Sequence, residues 1–167
     1  MRHIAWLFAF LVMMTIPSCS SSSVEEQNPL LVEWETPYGV PPFDKIKVTH
    51  YIPAFEAAMA EHQAEIEAIV KVRSVPDFEN TILALEKSGS LLNQATTIFG
   101  NLLSAETSDE MQAIAERVMP QLSAHSNNIS LNEELFARIK SVYQNTDLDT
   151  LNAEDRMLLQ KTYDGFI

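Results

Sequence analysis

Apolar residues recur at steps of three and four through most of this chain. Ile52, Phe55, Met59, His62, Ile66 and Ile69 form one such series. That spacing predicts an apolar stripe down a helix of about five turns, broken only by His62. Glu56, Glu61, Glu65 and Glu67 fall on the opposite face. Thr49 is the expected N-cap, with Pro53 in the first turn, where a missing N–H costs little.

The pattern continues after a break at Arg73–Asp77. Phe78, Ile82 and Leu85 predict a shorter helix, which Ser88-Gly89 ends or kinks. From Leu91 to Leu103 the chain is broadly apolar, and this stretch is expected to be the most buried helix. Ser108 caps the next segment, with Asp109 and Glu110 suited to the positive end of the helix dipole. Met111, Ile114, Val118, Leu122 and His125 share its apolar face, and Pro120 should kink that helix without necessarily ending it. Asn132 then caps a helix with Leu135, Ile139 and Val142 as its core face, and Asn152 caps a last one.

No run alternates apolar and polar residues long enough for a strand, and no fixed-period repeat is present. The expected fold is all-α, an antiparallel helical bundle joined by short loops. It is preceded by an extended, proline-rich arm over residues 28–48. Pro29, Pro37, Pro41, Pro42 and Gly39 exclude a continuous helix there. Leu30, Leu31, Trp34, Tyr38 and Phe43 are too apolar for a loose linker, and they are expected to pack on the bundle of residues 49–167.

Composition changes the picture at two points. The 167 residues suffice for one domain with a real core, and 23 acidic against 11 basic side chains give a net charge of −12. That balance argues against nucleic acid as a partner. The second point is the beginning of the chain. Arg2 and His3 precede an apolar run from Ile4 to Met14, too short to span a bilayer but suited to a leader over residues 1–18. Ile16, Ser18 and Cys19 resemble the lipobox of bacterial lipoproteins. In that resemblance Cys19, the only cysteine, is lipidated after cleavage, and residues 19–27 form a Ser/Glu-rich tether. The expected location is an exported lipoprotein anchored to a membrane through Cys19.

Candidate chemistry is sparse. The stretch Glu61-His62-Gln63-Ala64-Glu65 holds the letters of a zinc-peptidase helix in the wrong order. That chemistry needs two histidines at i and i+4 with the glutamate between them. A di-metal bundle motif would need a glutamate where Met59 stands. His62 and Glu65, at i and i+3, are spaced for a hydrogen-bonded or ion pair. His50 lies elsewhere around the helix, and His125 belongs to another helix, where a partly buried structural histidine is expected. No Gly-x-Ser-x-Gly or glycine-rich phosphate loop is present. No catalytic or metal-binding residue is therefore assigned, and no cofactor is expected in this chain.

Three blocks, at 43–69, 76–92 and 107–143, resemble the N-terminal helical region of the peptidyl-dipeptidase branch of the thimet oligopeptidase family of zinc metallopeptidases. The likeness runs from about Asn28 to Ile167. It implies a larger helical enzyme with a deep channel between two halves, acting on short peptides and releasing dipeptides from their C-termini. Zinc is implied for the complete enzyme, held by His-Glu-x-x-His and a downstream glutamate. Nothing at those family positions lies within this chain, so the 167 residues are expected to be inactive alone. The ending Leu158–Ile167 breaks off inside what resembles a family helix, so a truncated or split gene, or part of a longer reading frame, is expected. The competing expectation is a stand-alone, lipid-anchored module that binds peptides or a partner subunit.

Overall fold

The computed structural model describes residues 27–167. The expected leader, Cys19 and all of the tether but Gln27 therefore lie outside the described residues. The helices are α1 (Tyr51–Lys71), α2 (Ala84–Lys87), α3 (Ser90–Ala105), α4 (Asp109–Ser130), α5 (Glu133–Asn145) and α6 (Ala153–Asp164). A π-helical turn, Phe78–Leu83, runs directly into α2, and no strand occurs among the described residues. The all-α reading holds.

Helix α1 is the spine. Its N-terminal half sets Tyr51, Ala54 and Phe55 against Ala95, Ile98 and Phe99 of α3 and Met111, Ile114 and Val118 of α4. Phe99 meets Tyr51 edge-on at 5.0 Å and Phe55 at 5.4 Å between ring centroids. Each such pair adds about 1 kcal/mol to the burial of its rings. The C-terminal half sets Ile66 and Ile69 against Ile82, against Leu135, Ile139 and Val142 of α5, and against Leu159 of α6. One helix thus serves two cores.

Contacts fix the directions. Tyr51 and Phe55 meet the later part of α3 while His62 meets its start at Gly89, so α1 and α3 run antiparallel. Arg117 pairs with Glu56 and His125 with His62, so α4 runs parallel to α1 and antiparallel to α3. In α5 and α6, Phe136 stacks on Phe166 and the Tyr143 hydroxyl donates to Gln160, which is again antiparallel.

Most expected caps are in place. Ser108 accepts from Met111 N, Asn132 from Leu135 N and Asn152 from Asp155 N. Each satisfies an orphan N–H and is worth about 1 kcal/mol. Helix α4 continues through Pro120, as its apolar face requires.

Three expectations are corrected. Thr49 does not cap α1. A 3-10 turn, Val48–His50, leads straight into the helix, and the His50 ring accepts the Lys47 N–H at 3.1 Å. Helix α3 is not the most buried. It packs chiefly on α1 and on the turn Pro29–Leu31, so Leu91, Leu102 and Leu103 are only partly covered. The apolar residues of the arm divide in two. Leu30 is buried, Leu31 and Trp34 pack on the first core, and Asn28 ties the arm to α1 by donating to the His50 carbonyl at 2.8 Å. Tyr38 is exposed at the left-handed turn Tyr38-Gly39, and Phe43 is half-exposed at the edge of a groove it shares with Tyr51, Leu102 and Met111.

Candidate functional site

A cluster of polar groups converges where the two cores meet, beside a groove of about 590 Å³. His62 enters it from the middle of α1. It sits on the apolar stripe, so its ring turns toward the bundle and is half-buried. Ser88 and Gly89 bring the α2–α3 break against that ring, and α4 presents His125 from the other side.

The contacts are short and directional. His62 Nδ1 and His125 Nε2 are 3.1 Å apart, with the rings edge-on at 5.0 Å. His62 Nε2 lies 3.3 Å from the Ser88 hydroxyl, which donates to the Leu85 carbonyl at 2.7 Å. Glu65, placed by its spacing on the exposed face of α1, is instead half-buried and accepts the Gly89 N–H at 2.7 Å. It spends its carboxylate there and forms no hydrogen bond with His62. Glu61 stays exposed.

Gly89 is the residue this arrangement demands. Its φ is +69°, and a Cβ there would lie 2.8 Å from the His62 ring. Any side chain would both strain the backbone and displace the imidazole.

Burial holds His62 below the ordinary histidine range, neighbouring His125 lowers it further, and Glu65 opposes both. Burial likewise lowers His125. Both rings are therefore biased toward the neutral form at neutral pH.

A second polar cluster lies in the other core. Arg138 of α5 is only 9% exposed. It donates to the Val72 carbonyl at 2.9 Å, to Asn80 Oδ1 at 2.8 Å and to Thr81 Oγ1 at 3.2 Å. Asn80 and Asp77 cap the π-helical turn reciprocally. No carboxylate pairs with Arg138 among the described residues; the C-terminal end of α1, with its partial negative charge, faces it instead.

Among the described residues, no group of three or more histidine, cysteine or acidic side chains could hold a metal ion. Nor is any described helix long and apolar enough to cross a membrane. Cys19, the one residue singled out in the sequence for modification, lies outside the described residues. The sequence reading did not bring His62 and His125 together. The available signal was that each is a polar residue on an apolar stripe.

No family model matches the chain. Dipeptidyl carboxypeptidase of Salmonella typhimurium is 43% identical to it over 140 residues, covering 84% of this chain and 21% of that protein. Dipeptidyl carboxypeptidase of Escherichia coli is 42% identical over the same length. Oligopeptidase A of Salmonella typhimurium is 27% identical over 139 residues, 83% of this chain and 20% of that protein. The chain thus spans about a fifth of the length of the relatives it matches.

Proposed function

We propose, from its likeness to the bacterial dipeptidyl carboxypeptidases, that the chain corresponds to the N-terminal region of such a peptidase of the thimet oligopeptidase family and supplies helical scaffold to it. The complete enzyme would release dipeptides from the C-termini of short peptides. The observation that carries the reading is 43% identity over 84% of the chain. The fold is consistent with it, its helices closing on two cores with no strand among the described residues.

Zinc, implied by the family, is not served by the residues described. His62 and His125 hydrogen-bond to each other, Glu65 is held by the Gly89 N–H, and no third ligand joins them. No step of peptide hydrolysis is therefore routed through these side chains. The purified chain, given a short peptide with a free C-terminus, is expected to show no zinc-dependent release of dipeptide. Release that survives repurification, is blocked by a chelator and is lost in His62→Ala would overturn this.

Export and anchoring belong to the same proposal and rest on residues 4–19 of the sequence. Expressed in a bacterium, the chain is expected in the membrane fraction, and Cys19→Ser is expected to leave it there only as an uncleaved precursor. A mature, soluble wild-type product would refute the anchor.

A further inference from the structure

Each proton in the His62 cluster can be assigned by elimination. The Leu85 carbonyl only accepts, so the Ser88 hydroxyl, 2.7 Å away, commits its one proton there. Toward His62, Ser88 Oγ is then an acceptor, and His62 must carry its proton on Nε2. That leaves His62 Nδ1 with a lone pair, which accepts the Nε2–H of His125 at 3.1 Å. The result is a directed chain from α4 to α1 to the α2–α3 break. His125 Nδ1, at its outer end, has no hydrogen-bond partner among the described residues.

We propose that His62 and His125 form a two-stage proton latch between α1 and α4. The first proton lands on His125 Nδ1 and leaves the latch closed, because His125 Nε2–H still donates to a neutral His62. That bond then becomes charge-assisted. The second proton has only His62 Nδ1 to occupy. Two N–H groups and two positive charges then face each other across the former hydrogen bond, and the latch opens. Acidification through the second step frees the C-terminal part of α4 from α1 and widens the groove between them.

The surroundings support this order. Two influences, burial and the neighbouring ring, lower His62, whereas burial alone lowers His125. Glu86 on α2 is the acidic group lining the groove, and Glu65 on α1, bonded to Gly89 of the groove wall, favours a charged His62. Helix α6 contributes Lys161. Helix α3 contributes only uncharged groups such as Leu92, Asn93 and Thr96. Glu65 is itself engaged by the Gly89 N–H, so it is held where it cannot take the His125 proton's place.

The test uses the whole 167-residue chain, nitrogen-15 labelled, with long-range proton–nitrogen correlation of its imidazoles from about pH 8 to about pH 5. At the upper end His62 is expected as the Nε2–H tautomer. His125 is expected to titrate first, and His62 second. Amide protection factors over residues 121–130 should stay flat through the first step and fall about tenfold through the second. In His125→Ala, His62 should titrate in one step and the drop in protection should vanish. An Nδ1–H tautomer of His62, titration of His62 before His125, or protection over 121–130 indifferent to the second step would each overturn the latch. If His125→Ala fails to fold, the wild-type tautomer and order of titration still decide.

Discussion

The two cores that share α1 solve the same problem with different side chains. Each must tie an interruption of the helical chain to the spine. At the first core the break at Ser88-Gly89 is held by His62, Glu65 and His125. At the second, the π-helical turn at Phe78–Leu83 is held by Arg138. Arginine stays charged at any ordinary pH, whereas histidine changes state near neutrality. One fastening is permanent and the other is conditional, although both reach α1, His62 from within it and Arg138 from α5 through the Val72 carbonyl.

The sharpest way to break the comparison is to remove what the first core has and the second lacks, an aromatic keystone. Phe99→Ala deletes a fully buried ring that touches both Tyr51 and Phe55, and it should cost about 4 kcal/mol of stability by urea titration. Arg138→Ala should follow at about 3 kcal/mol, because Val72 O, Asn80 and Thr81 lose a charged donor inside the second core. If the two fastenings differ as described, this loss should be the same at pH 7 and pH 5.5. Gly89→Ala comes next, at about 1–2 kcal/mol for a left-handed alanine, with more added by its contact with the His62 ring.

The smallest effect separates the cores most cleanly. The folded-state pKa values of His62 and His125 lie below the unfolded value of about 6.5. Between those limits the unfolded chain binds more protons, so stability rises with pH. The contribution is complete above the unfolded pKa and is lost as pH falls through the folded values. Urea midpoints measured across that range should slope accordingly in the wild type. They should flatten in the double variant His62→Gln/His125→Gln, and keep the wild-type slope in Arg138→Ala.

What was legible in the sequence was whatever acts locally. Ser108, Asn132 and Asn152 announce their helices because a cap needs only its own first turn. The stripes of α1, α4 and α5 were readable because burial follows helical spacing. The start of α1 was misplaced because Thr49 looks like a cap, whereas His50 reaches back to Lys47 N. The π-helical turn was invisible because Phe78, Ile82 and Leu85 fit ordinary α spacing equally well. Arg138 and the histidine couple were missed for a different reason. Their partners lie 57 to 66 positions away, beyond anything local periodicity encodes.

Pro120 carries a mechanical consequence. Having no N–H, it omits the rung to the Glu116 carbonyl, one turn back at the level of the buried Val118. Upstream of it, the Arg117–Glu56 pair and the first core clamp the helix. Downstream, the helix is held to the bundle through the partly buried Leu122, His125 and Ile129. A disturbance that begins at the far end of α4 can unzip residues 121–130 and be arrested where Arg117 and the buried Val118 anchor the helix.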